Sequence, residues 1–292
     1  MRLVKASYEI YAASFNKDLP YSYDNSELLI EIAGRTCYKS EKKITEGTAE
    51  KFVNMLKSRK HYAMIEHSWN LRYYTEFCPH YKFLNFMPMN TGTLVAGNDR
   101  AFNEWEYEHK NEYIKPTMDM IKEIYNQKCW NMLSATVKII TDRGISHEIV
   151  RHRPSSYAQE STRYCNYCNS KFNNHISFII PPWLDLPEGE WTWNNINKSD
   201  ILAKNLVAQY WVKSMLDSEQ TYNNLISEGW NPERARSVLP NSLKTEIVIT
   251  ADLAEWQHIF KLRIASDAHE QIREIMIPLR EDFKKLFPEI FI

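Results

Sequence analysis

The stretch ATVKIITDRGISHEIVRHRPSSYAQESTRY, residues 135–164, contains the succession of elements from which we predict the fold class. Its first seven residues are rich in β-branched side chains, which favour a strand. Asp142-Arg143-Gly144 predicts a turn. Ser146 is then placed to cap a helix that carries Arg151-His152-Arg153 and ends near Pro154.

The remaining chain also mixes strands and helices, without the regular alternation of a doubly wound sheet. Alternating residues at 69–77 and the apolar run at 247–249 predict further strands. A long amphipathic helix, with Leu202, Leu206 and Tyr210 on one stripe, is predicted to run towards Gly229. We therefore predict an α+β fold, with a mixed sheet, flanking helices and a long helical C-terminal half.

Composition excludes several classes of protein. The 292 residues include 36 Lys and Arg against 37 Asp and Glu, so a surface wholly devoted to nucleic acid or membrane is not expected. Only 7 residues are Gly, and neither the dinucleotide-binding nor the P-loop glycine pattern occurs. No apolar run approaches the length of a membrane-spanning helix.

The cysteines indicate a reducing environment. An odd count of 5 in a chain of this length does not resemble a disulfide framework, and the first 15 residues lack a signal-peptide core. We expect a cytoplasmic protein. Cys165 and Cys168 have the spacing of half a zinc site, but no second pair follows, so no metal site is predicted.

The densest chemistry lies in segment 151–163, which we call the basic motif. Between Arg143 and Lys171 there are five basic and two acidic residues, and four of the five are arginines. The planar guanidinium binds phosphate or carboxylate in a bidentate manner and stacks on flat rings. Together with the hydroxyls of Ser161 and Thr162, this pattern favours a nucleotide ligand, although a solvated basic loop is the plain alternative.

The order of residues in the basic motif is similar to a family signature. Arg-His-Arg, seven residues, then Ser-x-Arg resembles the flavin-dependent thymidylate synthases without a gap. Glu66-His67, segment 233–240 and segment 262–272 look like three further elements of that family, in the same order along the chain.

The resemblance implies a reaction and an assembly. Members of this family make dTMP from dUMP, with methylenetetrahydrofolate as the carbon donor and FAD reduced by NADPH. They are homotetramers of α+β subunits whose FAD and dUMP sites lie at subunit interfaces. The chain is accordingly expected to be one domain, 1–292, with added segments near 97–130 and 165–199. Its expected partners are dUMP, folate and further copies of itself, without nucleic acid or membrane.

The resemblance also assigns residues. Those expected to contact the flavin are His67, Arg151, His152, Arg153 and His258. Those expected to bind dUMP are Glu148, Gln159, Glu160, Ser161, Thr162, Arg163, Arg236 and Arg263. The catalytic candidates are Arg263, beside the uracil ring, and Ser161. We interpret Ser161 as a binding hydroxyl, because a nucleophilic serine needs an adjacent base that the sequence does not supply.

The chain departs from the family pattern at two places. Many relatives have Asn-Glu where this chain has Ala158-Gln159, and a Gln where it has Glu148.

Two other functions remain open. A related flavin enzyme could add another one-carbon group, such as hydroxymethyl, and the product mass would distinguish it. A non-enzymatic nucleotide- or RNA-binding module would bind no flavin and would be strongly salt-dependent.

Overall fold

The computed structural model describes residues 1–76, 80–109, 112–196 and 199–292. Residues 110–111 and 197–198, within the two expected added segments, lie outside the described ranges. The strands are β1 (Arg2–Val4), β2 (Ser7–Ala13), β3 (Asn70–Tyr74), β4 (Asn85–Met89), β5 (Gly92–Gly97), β6 (Ser134–Asp142), β7 (Ser155–Gln159), β8 (Ser177–Ile179), β9 (Gly189–Glu190) and β10 (Lys244–Asp252). The helices are α1 (Ser26–Tyr38), α2 (Thr48–Ser58), α3 (Asp99–His109), α4 (Met118–Asn126), α5 (Arg143–Ile149), α6 (Trp193–Ile196), α7 (Asp200–Lys204), α8 (Leu206–Ser227), α9 (Pro232–Ala235), α10 (Leu253–Arg263) and α11 (Glu270–Leu286).

The main sheet is antiparallel, with strand order β2-β6-β10-β7. Its two inner strands, β6 and β10, pair along nine residues and are almost entirely buried. On one face Ile139 and Ile249 pack into the largest core with Trp256 of α10 and Phe283 of α11. On the other face Val248 packs against α1. Burial on both faces is consistent with the β-branched and apolar residues that predominate in the two inner strands.

The basic motif lies at one edge of this sheet. Strand β7 pairs with β10 from Ser155 opposite Ala251 to Gln159 opposite Ile247. Helix α5 connects β6 to β7, although β10 lies between these two strands in the sheet. The edge strand therefore carries the middle of the motif, while its two ends project beyond the strand.

Two smaller sheets flank the main one. Strand β1 pairs in parallel with β8 and antiparallel with β9, so segment 165–196 is tied to the start of the chain. The buried side of this sheet packs with residues of α8, including Val212 and Leu216. Strands β3, β5 and β4 form an antiparallel sheet whose Tyr74 and Val95 pack against Phe102 and Trp105 of α3.

The predicted α+β class is confirmed, and strands β6 and β10 lie where the β-branched runs predicted them. The strands in the described ranges divide among three sheets, and the predicted mixed pairing occurs in the β8-β1-β9 sheet, whereas the main sheet is antiparallel. The only parallel pairing among them is between β1 and β8. None of the helices in the described ranges is long and apolar enough to cross a membrane.

The predicted helix at the motif is displaced towards the N-terminus. Asp142 caps α5 in place of Ser146, and its Oδ1 accepts from the Ile145 N–H at 2.7 Å. A carboxylate at this position also complements the helix dipole. The helix ends at Ile149, so 151–153 lie in a turn rather than on the helix, and the following residues form β7.

The predicted stripe on the long helix is also wrong. The chain breaks at Asn205, whose side chain accepts from the Ala208 N–H at 3.0 Å and starts α8 there. This break changes the helical phase, which leaves Leu206 and Tyr210 59% and 64% exposed. Gly229 follows the helix with φ +90°, as expected of a glycine that ends a helix.

Candidate active site

Arg263, the last residue of α10, is held by side chains of the α5 region. Its Nε–H donates to His152 Nε2 at 2.8 Å, its Nη1 to Glu148 Oε2 at 2.7 Å, and its Nη2 to the Glu148 carbonyl at 3.0 Å. A guanidinium has five N–H groups, so one on each Nη is left over. The side chain is 19% exposed. Arg263 is therefore a fixed donor that retains two N–H groups for a ligand.

His152 lies behind Arg263 in the interior. It is 4% exposed. Burial, together with the neighbouring Arg263 and His258, lowers the pKa of His152 to about 4. The ring is thus neutral at neutral pH. Because Nε2 accepts from an arginine, the single ring proton is on Nδ1.

Glu255 of α10 faces that proton. Its Oε1 lies 3.8 Å from His152 Nδ1 and has no hydrogen-bond partner in the described structure. Burial and the neighbouring Asp252 raise the pKa of Glu255 to about 7. His152, Glu255 and His258 together are spaced closely enough to hold a metal ion. Because Arg263 donates to Nε2, a metal could bind His152 only by displacing the Nδ1 proton; we interpret the contact with Glu255 as a site for that proton.

We call Glu148, His152, Glu255, His258 and Arg263 the Arg263 cluster. Sequence reasoning missed Glu255. Its signal is its position three residues before His258, which places both side chains on one face of a helix.

Glu66 and His67 reach the same strands from a distant part of the chain. His67 is fully buried, and its Nδ1 lies 3.0 Å from the Thr250 hydroxyl of β10. Glu66 accepts from Ser156 of β7 at 3.2 Å and from Arg100 at 2.6 Å. Burial lowers the pKa of His67 to about 4, so it is a neutral group. Its Nε2 has no hydrogen-bond partner among the described residues.

The far end of β7 carries a second group of predicted residues. Arg236 Nη1 donates to Thr162 Oγ1 at 3.2 Å, and the exposed Arg163 donates to Glu233 at 2.8 Å. Gln159 donates to the hydroxyls of Ser146 and Thr245. Ser161 Oγ accepts from the Arg163 N–H at 3.3 Å, and no side chain among the described residues is bonded to it as a base.

Arg143 adds a cation beside this group. Its Nη1 donates to the Glu160 carbonyl at 3.4 Å. Burial lowers the pKa of Arg143, and the positive charge of the neighbouring Arg236 contributes in the same direction. Two guanidinium groups close together, beside the Thr162 hydroxyl, are an arrangement that an anion would stabilise.

Below these residues lies a buried ionic network, the Lys244 network, formed by Lys39, Lys138, Lys244, Glu160 and Glu246. Glu160 is 1% exposed and accepts from Lys244 at 2.9 Å and from Tyr167 at 3.0 Å. Burial alone would raise the pKa of Glu246, but Lys244, Lys39 and Lys138 hold that pKa well below its usual range. Glu160, predicted to bind substrate, therefore lies beneath the surface in this chain.

The predicted residues thus divide between the two ends of β7. At about 3.3 Å per residue these ends are about 13 Å apart. Arg151 and Arg153 lie in the turn before β7, exposed and without a salt-bridge partner in the described structure. The single chain brings together Glu148, His152, His258 and Arg263 at one end and Ser161, Thr162, Arg163 and Arg236 at the other.

A family model described as thymidylate synthase complementing protein matches residues 91–289. The chain belongs to this family. The match covers the whole basic motif and the three arginines that contact it, Arg143, Arg236 and Arg263, and it starts after Glu66-His67. The family membership predicted from the sequence is confirmed.

Individual relatives have the corresponding name. A flavin-dependent thymidylate synthase of Sulfurisphaera tokodaii is 29% identical over 202 residues, covering 68% of this chain and 70% of the relative. Another, of Pyrococcus furiosus, is 32% identical over 143 residues, covering 49% of this chain and 51% of the relative. A solved structure of the UMP/dUMP methylase PolB from Streptomyces cacaoi, bound with 5-Br dUMP, superposes with a TM-score of 0.48 at 16% identity, covering 100% of this chain and 95% of that one.

Proposed function

We propose that this chain methylates dUMP to dTMP, with methylenetetrahydrofolate as the carbon donor, FAD as the hydride carrier and NADPH as its reductant. The observation that carries the proposal is the Arg263 guanidinium, fixed on three N–H groups and left with two. Membership of the family and the names of its relatives support the same reaction.

Arg263 is proposed to bind the uracil ring. When C5 of uracil forms a bond to carbon, negative charge builds on the ring carbonyls. Donors that are already in place stabilise such charge without reorganisation, and a single donor of this kind contributes a factor of about 10²–10³. Because Glu148 and His152 hold the guanidinium, its two remaining N–H groups are aimed before substrate arrives.

The far end of β7 is proposed to bind the phosphate. Arg236 and Arg143 supply two cations, Thr162 holds Arg236 in place, and Ser161 offers a hydroxyl. Ser161 is proposed as a binding group rather than a nucleophile, since no base is bonded to it in the described structure. Four further residues are proposed to contribute to dUMP binding, at the phosphate site or at the ring site, from their observed positions: Glu148, Gln159, Glu160 and Arg163.

The exposed turn before β7 suits the flavin. Arg151 and Arg153 present two uncompensated cations, which match the charge of a diphosphate. His67 and His258 are proposed to line the same cofactor, and His67 Nε2 is a buried polar atom that lacks a partner. When bound, the reduced flavin supplies a hydride to the transferred carbon. The protein contributes by binding the flavin and excluding water from it.

The separation of the two ends supports an assembly. With about 13 Å of strand between Arg263 and the phosphate residues, we propose that one nucleotide is held by Arg263 of one copy and Arg236 of another. A homotetramer with one domain per chain would build such shared sites. Light scattering of the purified protein tests the copy number.

The test of the reaction is spectroscopic and analytical. The purified protein is loaded with FAD and its visible absorption is followed anaerobically as NADPH is added, with and without dUMP. Bleaching of the flavin band, faster with dUMP, is the expected result. Addition of methylenetetrahydrofolate should then give a product of the mass of dTMP. A product with the mass of the hydroxymethylated nucleotide would show that the enzyme transfers a hydroxymethyl group instead of a methyl group. A protein that takes up no FAD would overturn the proposal.

A further inference from the structure

Two carboxylates converge on Arg263, by different routes. Glu148 accepts directly from Nη1 at 2.7 Å. Glu255 touches the guanidinium only through His152, whose ring lies between them. Glu255 is 8% exposed, and its Oε1 is a buried oxygen with no hydrogen bond in the described structure. Burying an oxygen without a hydrogen bond destabilises the folded state, so we expect this oxygen to serve a neighbouring group.

The direction of the hydrogen bonds from Arg263 through His152 explains why the Glu255 oxygen lies there. The Arg263 Nε–H can only donate, so His152 Nε2 must accept. The neutral ring then has its proton on Nδ1, directed at Glu255 Oε1 at 3.8 Å. That separation is longer than a hydrogen bond and is closed by a small shift of either side chain.

We propose that Glu255 is a positioning residue that orients Arg263 through His152. The carboxyl holds the Nδ1 proton, which keeps Nε2 available and fixes the ring plane against which Arg263 lies. This inference rests on the proposed function only for the role of Arg263 at the substrate; the orientation itself is a property of the protein alone.

The groups around Glu255 are consistent with this role. His152 and His258 face it from the motif and from one turn along α10, and Asp252 lies at the start of that helix. Burial raises the pKa of Tyr157 of β7, and the nearby charge of Glu255 contributes in the same direction. The Tyr157 hydroxyl donates to the His152 carbonyl at 2.8 Å. Burial with Asp252 nearby raises the pKa of Glu255 to about 7, so the acceptor loses its charge just below neutral pH.

The activity test compares Glu255→Gln, Glu255→Ala and Glu274→Gln with the wild type. Glu274 is a matched control, because burial with Asp142 nearby raises its pKa to about 7 as well, but on α11. We expect kcat of the wild type and of Glu274→Gln to fall as the pH drops through about 7. Glu255→Gln is neutral at every pH, so its kcat at pH 8 should already lie at the reduced level that the wild type reaches below pH 7, and the acid limb should be absent.

Glu255→Ala removes the acceptor, and kcat should fall by about 10- to 100-fold across the pH range, the scale on which a partner that orients a functional histidine acts. Thermal unfolding of each variant verifies that it folds. An acid limb retained in Glu255→Gln, or a wild-type kcat in folded Glu255→Ala, would overturn the proposal.

A measurement on the wild type separates this inference from the proposed reaction. With ¹⁵N-labelled histidine, and His152 assigned by its substitution, NMR at pH 8 should show His152 neutral and protonated at Nδ1. The Nε2–H tautomer, or stoichiometric Zn²⁺ bound through His152, would overturn the inference even if the enzyme is active. A wild type that does not turn over dUMP would instead overturn the proposed function and leave the tautomer result standing.

Discussion

The two ends of strand β7 use charge in opposite ways. At the start of the strand, Glu148 and His152 use three N–H groups of Arg263 and leave two, in a position that solvent reaches. Beyond its end, Glu246 is enclosed by three lysines, and it is 4% exposed. The first arrangement leaves donors unused, whereas in the second both buried carboxylates are paired with lysines.

The difference separates binding from support. A buried group whose charge is cancelled by its neighbours has nothing to offer a ligand, but its loss leaves charges stranded in the interior. A guanidinium that is held on one side and open on the other is preorganised for an anion. We therefore expect substitutions in the Lys244 network to affect stability and those in the Arg263 cluster to affect turnover.

The largest effect is expected from Glu246→Gln, which leaves Lys39, Lys138 and Lys244 without their shared anion. Removing one partner of a buried ion pair costs about 3–5 kcal/mol, and urea unfolding measures it. The pKa of Glu246 is depressed in the fold, so its contribution is complete at neutral pH. It is lost progressively as the pH falls below about 4.3, the carboxyl pKa of an unfolded chain.

Glu281→Gln is the control for that experiment. Glu281 is 52% exposed and pairs with Arg280 and Lys284 on the surface of α11. Its substitution should change the unfolding free energy by less than about 0.5 kcal/mol. Equal effects of the two substitutions would show that the Lys244 network does not support the fold.

Arg263→Lys should be the most damaging change to turnover. Lysine keeps the positive charge but lacks the planar fork that meets His152, Glu148 and the substrate together. We expect kcat/KM for dUMP to fall by about 10²–10³-fold, with the unfolding midpoint little changed. Arg280→Lys, at a surface ion pair, should leave both quantities unaltered. Comparable loss in the two variants would contradict the comparison.

Thr162→Val tests the phosphate end. The substitution keeps the shape of a side chain that is 7% exposed but removes the oxygen that accepts from Arg236. One hydrogen bond contributes about 0.5–1.5 kcal/mol, so KM for dUMP should rise by about two- to tenfold at constant kcat. Thr162→Ser keeps the hydroxyl and should restore the wild-type KM; failure of this rescue would argue against the contact.

Ser161→Ala is expected to have the smallest effect. Ser161 offers one hydrogen bond among the several groups proposed to hold the phosphate, so kcat should persist and KM should rise by no more than the roughly two- to tenfold expected of one hydrogen bond. Steady-state kinetics together with equilibrium binding of dUMP measures both quantities. Turnover abolished with dUMP binding intact would identify Ser161 as a nucleophile instead.

Elements with strong local signals were predictable from the sequence. The β-branched run at 135–141 and the apolar run at 247–249 became the two inner strands. The order of residues in the basic motif was specific enough to give the family. In each case the local preference and the tertiary packing agree, because both faces of these strands are buried.

Other features depended on contacts that no local pattern records. The sequence of β7 is mostly polar and does not by itself predict a strand. The segment is a strand because it pairs with β10. Asp142 was assigned to a turn, although a carboxylate caps a helix as readily as Ser146 does. Glu255 was missed because its partner His152 is a hundred residues away and meets it only in the fold.

The position of β10 between β6 and β7 has a consequence for how the protein forms. Strands β6 and β7 are separated by one short helix in the chain, yet neither pairs with the other. During synthesis β6 can pair with the earlier strand β2, whereas β7 must wait for residues 244–252, which form the strand it pairs with. Such long-range pairing slows folding and exposes strand edges. The basic motif is therefore among the last parts of the main sheet to become ordered.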